Sequence, residues 1–445
     1  MAAQTWRGVT RRALAGLAFV SSMAGPLAAC RPRETGQTTA GPQPSPQAPV
    51  TLSFWTRLGP THHIAVALNI WNEGPGKAKG ITLEYTNIPG DQFVDKISAA
   101  AAGGSLPDIP TVDLIQGPLL AQRGIYAEIT REFNALPYKD KLVPAITRLG
   151  TSGGKQYAVP LTGGPSLLYY NKGLLAQAGI DASQGVPTWN ELVDYARRVT
   201  SPPDRYGIGL SVGSGGGYMY TFMPYVWMNG GDLLSPDGRQ VLVDQPPFQE
   251  AAQLWVDLAQ RYRATPDEVR SATPYSARDK FVAGQIAMFH TGMGSMNWLN
   301  QNAPLLEYGV QPMPRSPRTG KTSAFLGGEL IGLSATTRYR AQGWEVIQWF
   351  LSDDVQVELV LANLYELPMR LDQFDNKYTR ANPQLARLVE AMLEGRAPYH
   401  EKYDVLFQRA DSPLAVNMNA AMSGQKEVRQ ALQDMKQAME AILRA

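Results

Sequence analysis

The chain has 445 residues, 44% of them apolar, enough to bury the cores of about two domains. Its 41 basic and 39 acidic residues nearly cancel, and loss of a leader carrying Arg7, Arg11 and Arg12 takes the formal charge from +2 to −1. Such a neutral body excludes nucleic acid as an electrostatic partner, and a single cysteine excludes a disulfide framework.

Residues 1–29 read as a signal peptide. The three arginines precede an apolar run from Ala13 to Ala24 that is too short and alanine-rich to span a bilayer. Leu27-Ala28-Ala29-Cys30 then resembles a lipobox, with Cys30 as the site of lipidation. Thr10-Arg11-Arg12-Ala13-Leu14 fits twin-arginine export as well as the general secretory route. Residues 30–49, rich in Pro, Thr, Gln and Gly, make a lipid-anchored disordered tether. The expected address is the outer face of the cytoplasmic membrane, in the periplasm or on the cell surface, with lipid as the only membrane contact.

From Val50 onwards strand and helix signals alternate, as in α/β layers. Val50–Trp55 is a strand opening into Thr56-Arg57, Ile64–Glu73 a helix, and Ile81–Asn87 a second strand. Asp91 is placed to cap a helix through Phe93 and Ile97 that ends at Gly103-Gly104. Pro107–Asp113 reads as a short buried strand with an acid at its carboxyl end. Gln156–Leu161 and Ser166–Tyr170 are strand candidates separated by Thr162-Gly163-Gly164-Pro165, which reads as a hinge in which Gly163 and Gly164 absorb rotation. Thr188 caps the next long helix with Glu191 completing a capping box. Tyr206–Val212 is a strand leading into a glycine loop, Gly213–Gly217, before a helix through Trp227. Gln249–Arg263 is amphipathic, Ser276–Ala283 a short helix, and Gln285–His290 a strand ending at Gly292. The chain crosses again over Tyr308–Pro314, enters a strand over Phe325–Leu333, and crosses a third time at Leu367–Arg370. The last helix carries Val428, Leu432, Met435, Met439 and Ile442 on one face, which docks it on its own domain.

Taken together these segments resemble the extracellular solute-binding proteins of ABC importers, in the carbohydrate-type group that includes maltodextrin-binding proteins. The resemblance spans nearly all of the chain after the tether. It rests on the order and spacing of Pro107-Asp108-Ile109, Ala127-Glu128-Ile129, Tyr157-Ala158-Val159-Pro160, Tyr170-Asn171-Lys172, Pro187-Thr188-Trp189-Asn190-Glu191, Asn229-Gly230-Gly231, Gly284-Gln285-Ile286-Ala287-Met288 and Gly327-Gly328. It implies a periplasmic-binding-protein-like fold of two α/β lobes, residues 50–163 with 311–366 and residues 164–310 with 367–445, joined by three hinge crossings around a ligand cleft. It also implies capture of a sugar or oligosaccharide by hinge closure and delivery to the transmembrane subunits of an ABC permease. Where the maltodextrin pattern carries a hinge glutamate this chain has Gly164, and its counterpart of one stacking tryptophan is Gly294, which points away from maltodextrin itself.

A sugar offers hydroxyls to polar groups and a C–H face to rings, so both kinds are sought in the loops after strand ends. The candidates are Trp55 and Arg57, Asp113 and Gln116, Tyr218, Tyr220 and Trp227, His290 and Met293, and Glu329 and Arg370 near later crossings. Tyr218 and Tyr220 stand out because the resemblance places stacking aromatics just before Asn229-Gly230-Gly231. The same fold also serves peptides, polyamines and ferric ion. Only Asp113 and Glu329 offer the acids a polyamine needs, and the Tyr169-Tyr170 pair that iron would want sits in a strand. His62, His63, His290 and His400 lack metal-ligand spacing and no G-x-S-x-G elbow occurs, so the reading is a monomeric binder without cofactor or metal rather than an enzyme. A secreted glycoside hydrolase, built on a carboxylate pair, is the enzymatic alternative.

Overall fold

The computed structural model describes residues 48–213, 215–270 and 274–445, so the expected signal peptide, Cys30 and nearly all of the expected tether lie outside the described residues. Ala48–Ala445 forms one unit built on two sheets.

The strands of the first sheet follow from their burial patterns. Val50–Thr56 (β1) buries Leu52, Phe54 and Thr56 in alternation, and Ile81–Asn87 (β2) buries Ile81 and Leu83, as an edge strand with one wet face does. Ile109–Asp113 (β3) is buried from Ile109 to Val112 because it runs between β1, parallel, and a later strand, antiparallel. A two-strand turn follows, Thr151–Ser152 (β4) with Lys155–Gln156 (β5), and then Ala158–Pro165 (β6), buried throughout.

After the single residue Ser166 the chain starts the second sheet with Leu167–Asn171 (β7). Tyr206–Gly209 (β8) and Ile286–Thr291 (β9) run parallel to each other, with β9 antiparallel to β7, and Tyr308–Gln311 (β10) closes the other edge against β7. Ala324–Gly332 (β11) returns to the first sheet, where it pairs with β3 and β6, and Gly395–Arg396 (β12) adds a short parallel edge. The first order is therefore β12-β11-β3-β1-β2 with β6 also on β11, and the second is β10-β7-β9-β8. Ser166 is held from both sides at the passage between the sheets: its N–H donates to the Phe325 carbonyl at 2.9 Å and its Oγ accepts from the Phe325 N–H at 3.0 Å.

Helices seal these sheets. His63–Glu73 (α1) buries Ile64, Ala67, Leu68 and Trp71, and the ring of His62 caps it by accepting from the Ile64 N–H. Trp189–Val199 (α2) is capped by Thr188, whose hydroxyl also bonds Glu191. Gly215–Thr221 (α3), Pro246–Val256 (α4) and Gly294–Asn302 (α5) belong to the second sheet's side. Arg340–Phe350 (α6) sets Phe350 on Phe54 and Trp349 on Trp71. Pro413–Met422 (α7) receives the last helix, Val428–Arg444 (α8), which buries Val428, Leu432, Met435 and Met439 against α7 and α4, with Ile442 half-buried.

Four expectations are corrected. The helix expected to be capped by Asp91 begins at Gly90 with Pro89 before it, so Asp91 is already inside its first turn. Thr162-Gly163-Gly164-Pro165 is not a linker between strands but the end of β6, because Gly328, Gly327 and Leu326 of β11 pair with Gly163, Gly164 and Pro165. The glycine run after β8 is not wholly a loop: Gly215, Gly216 and Gly217 form the first turn of α3, where a Cβ on Gly217 would stand 1.6 Å from the Val212 carbonyl oxygen. Leu367–Arg370 is not a bare crossing, since the Met369 carbonyl accepts from the Val143 N–H at 3.0 Å and its own N–H donates to Gln356 at 2.9 Å.

Candidate functional site

The carboxyl ends of β1 and β3, the glycine stretches of β6 and β11, and the starts of α3 and α5 surround a cavity of about 930 Å³. That is near the upper end of the roughly 300–1,000 Å³ usual for small-molecule sites. Its position outside strand ends is where open α/β sheets present ligands.

The polar floor is a charge trio. Arg57, one residue past β1, reaches Asp113 at the end of β3 at 2.9 Å and Glu329 in β11 at 2.5 Å. Thr111 adds a hydroxyl 3.4 Å from the far Glu329 oxygen and donates to Thr56 at 2.8 Å. The Glu329 side chain is 1% exposed, and burial outweighs the attraction of Arg57, pushing its carboxyl up to about 7. Although burial opposes its charge, Arg57 is held above its usual value by the two carboxylates. With Glu329 buried and Arg57 and Asp113 partly exposed, the trio contributes fixed geometry more than stability, since desolvation of Glu329 offsets its attraction to Arg57.

Aromatic groups supply the walls. On the side of α1, His63 stacks on Tyr365 at 5.1 Å and donates or accepts with Thr162 at 3.0 Å, with His62 4.1 Å away. Burial, with Arg57 nearby, lowers His62 to about 4, so it meets a ligand uncharged at neutral pH. On the other side Trp298 carries the guanidinium of Arg278 over its ring at 3.6 Å, and Tyr220 lies 5.7 Å from Phe325. Glu366 reaches in from the segment after β11, its carboxyl pushed up to about 8 by burial.

Of the residues chosen from sequence, Arg57, Asp113, Tyr220 and Glu329 line this cavity, as do Gly163 and Gly164. The others stand elsewhere, for reasons of periodicity and packing. Trp55 is half-buried one residue before the end of β1, roughly 3.3 Å short of the strand end, and does not line the cavity. Asp113 caps a tight turn over Leu114–Gln116 that faces Ile115, and not Gln116, to the cavity. Tyr218 is two residues from Tyr220 on α3, hence on the opposite side of the helix, fully buried with its hydroxyl on Asn419 at 2.7 Å. Trp227 is 3% exposed, stacked on the rear of Phe325 with its N–H on Asp232 at 3.1 Å. His290 points behind β9 to Tyr225, 2.8 Å from its hydroxyl, while the next residue, Thr291, faces the cavity. Burial lowers His290 to about 3. Met293 is wholly buried between the lining glycines Gly292 and Gly294. Arg370 packs over Tyr138 at 4.0 Å and pairs with Asp372 at 2.6 Å, outside the cavity.

Sequence reasoning missed His62, His63, Arg278, Trp298, Tyr365 and Glu366. The adjacent histidines carried a usable signal, since they follow the end of β1 and open a helix. Trp298 lies one turn after Gly294 on α5, and Glu366 Oε2 lies 2.2 Å from where a Cβ of Gly164 would be. At both positions that lack the expected large residue, a side chain from elsewhere furnishes the wall.

A sequence profile described as bacterial extracellular solute-binding protein matches residues 71–357. The chain is 25% identical over 334 residues to the arabinooligosaccharide-binding protein of Halalkalibacterium halodurans, covering 73% of this chain and 72% of that one. Among solved structures it is similar to the cyclic alpha-maltosyl-1,6-maltose binding protein from Arthrobacter globiformis, at 25% identity and TM-score 0.75, with 89% of this chain and 99% of that one covered. It also resembles an ABC transporter solute-binding protein from Thermotoga lettingae bound with alpha-D-tagatose, at 21% identity and TM-score 0.76, over 88% and 99% of the two chains.

Proposed function

Since the chain belongs to the family of bacterial extracellular solute-binding proteins, we propose that it captures an uncharged saccharide, most simply an oligosaccharide, and delivers it to the permease of an ABC importer. The observation that carries this is one cavity in which a fixed polar trio, Arg57, Asp113 and Glu329, faces ring surfaces from Tyr220, Trp298 and Tyr365. Hydroxyls fit the first and sugar C–H faces the second. Its volume of about 930 Å³ leaves room for more than one sugar ring.

The two sheets serve as cores of two lobes, with passage at Ser166, between Gln311 and Ala324, and beyond Arg370. A ligand touching both sides favours the closed form by its differential affinity. Gly163 and Gly164, at the end of β6, flex during that closure. The chain acts as a monomeric binder and not as a catalyst, exported and held at the membrane by lipid on Cys30. Among the described residues no helix is long and apolar enough to cross a membrane.

Thermal-shift and calorimetric screening of arabino-, malto- and chito-oligosaccharides beside peptides, spermidine and ferric citrate tests the reading, because a ligand that binds only the folded form raises Tm. A rise with a saccharide and compaction in solution scattering are expected. Stabilisation by a peptide, spermidine or iron alone, or sustained release of cleaved sugar, would overturn it.

A further inference from the structure

Glu366 is the acid of this cavity that the charge trio does not explain. Its carboxylate oxygen lies over the α-carbon of Gly164, in the space a side chain there would fill, and the residue lines the cavity. Among the described residues it makes no hydrogen bond or ion pair. The cations nearby are committed: Arg57 is shared by Asp113 and Glu329, and Arg278 lies on the Trp298 ring and 3.5 Å from Asp279. A half-buried carboxyl in a cavity wall with neither cation nor donor beside it is cheaper neutral than charged. In that form it both donates and accepts a hydrogen bond, which matches a sugar hydroxyl, itself donor and acceptor.

We propose that Glu366 is a ligand-contacting, specificity-determining residue that meets an uncharged saccharide as a carboxylic acid and thereby reads the charge class of the ligand. The inference rests on the saccharide reading given above and adds the group that separates neutral sugars from cationic solutes on this fold. Of the groups facing Glu366 only Glu329 titrates nearby, about a unit lower, so the fall in affinity above pH 8 is the part that belongs to Glu366. Tyr169 of β7 is held well above the phenol range by burial, and His63, stacked on the adjacent Tyr365, is held well below the imidazole range by burial. Across the cavity, Glu329 titrates at about 7, and Arg57, held above its usual value, keeps its charge. Glu366 itself sits near 8. A neutral ligand bound to the acid form therefore loses affinity as pH rises past that value. A cationic ligand gains affinity over the same range, because it favours the carboxylate.

The test is isothermal titration of the whole exported protein with arabinotriose and maltotriose as neutral probes and spermidine as the cationic one, from pH 6 to 9.5. Three proteins are compared: wild type, Glu366→Gln and Glu366→Ala. For whichever trisaccharide binds, wild-type affinity should fall at least fivefold between pH 7 and 9.5. Glu366→Gln, which keeps a donor and an acceptor in place, should weaken binding several-fold and abolish that slope. Glu366→Ala should weaken it at least tenfold, with thermal melts at pH 6 confirming that both variants fold. Spermidine binding that weakens as pH rises, or a slope that persists in Glu366→Gln, overturns the inference, as does wild-type affinity in Glu366→Ala. Failure of every saccharide removes the broader reading as well, so the two failures are told apart.

Discussion

Gly163 and Gly164 are neighbours on one buried strand, yet the same added methyl meets a different obstacle at each. A Cβ on Gly163 would stand 2.5 Å from the Gly327 carbonyl oxygen and 3.3 Å from the Gly328 α-carbon, both in the backbone of β11. On Gly164 it would stand 2.2 Å from Glu366 Oε2, the tip of a side chain that borders open cavity. Both distances are at least an ångström inside ordinary contact of about 3.5–4.0 Å. Relief at 163 requires β6 and β11 to separate, and overpacking of this kind costs about 1–3 kcal/mol. Replacing glycine also narrows the unfolded ensemble, which returns about 0.4–1 kcal/mol at either site. The expected net loss for Gly163→Ala is therefore about 1–2 kcal/mol, whereas Gly164→Ala, relieved by rotation of Glu366, stays within about 1 kcal/mol of wild type. Urea unfolding at constant m reads both values. In a Glu366→Ala background the Gly164→Ala change should become stabilising while the Gly163→Ala cost persists, which a double-mutant cycle isolates. Equal losses at the two positions, or a Gly164→Ala cost indifferent to residue 366, would refute the packing argument.

Tyr220→Ala and Trp298→Ala should each weaken saccharide binding by about 1–3 kcal/mol through lost ring contact. Tyr218→Phe should cost stability only, about 1 kcal/mol from the Asn419 hydrogen bond, with affinity unchanged by calorimetry. His290, lowered to about 3 by burial, binds a proton in the unfolded chain below its ordinary value but not in the native one. Its stabilising contribution is whole above pH 6.5 and is lost as pH falls towards 3, by about 2 kcal/mol at pH 5. Tm measured from pH 7 to 4 should show this acid limb, and His290→Asn should flatten it; an unchanged limb would refute the assignment. Glu329 and Glu366, raised to about 7 and 8, act in the opposite sense, so stability is lost as pH climbs from 4.5 through those values. Glu366→Gln should lessen the fall in Tm between pH 6 and 9.

The strands and long helices were legible because one face of each is buried, so β1 and β2 alternate and α8 repeats its apolar stripe. Family resemblance supplied what periodicity could not, the pairing of distant strands around a cavity. Glycine was where local reading failed. It signals a turn, but it also signals two backbones in close approach, and Gly163 opposite Gly328 is the second case. For the site, the strand-end rule found Arg57 and Asp113, since it depends only on where a strand stops, whereas Glu329, chosen for its nearness to a crossing, reaches the cavity from within β11. Choosing between Tyr218 and Tyr220, or between His290 and Thr291, needed the phase of the element, and one residue of phase decides burial or exposure. Arg278, Trp298 and Glu366 reach the cavity from segments whose approach is set by packing alone, and no local pattern marks them.

The reciprocal bonds between Ser166 and Phe325 tie two of the cables running from one sheet to the other at a common waist. Cables lashed together bend readily across their shared width but resist sliding past one another. In the closure proposed above, any swing of the sheets would be restricted to a narrow arc, and occupancy of the cavity would be reported to the outside as one reproducible angle. Ser166→Ala would cut one lashing and widen that arc, blurring the signal while leaving every cavity-lining side chain in place.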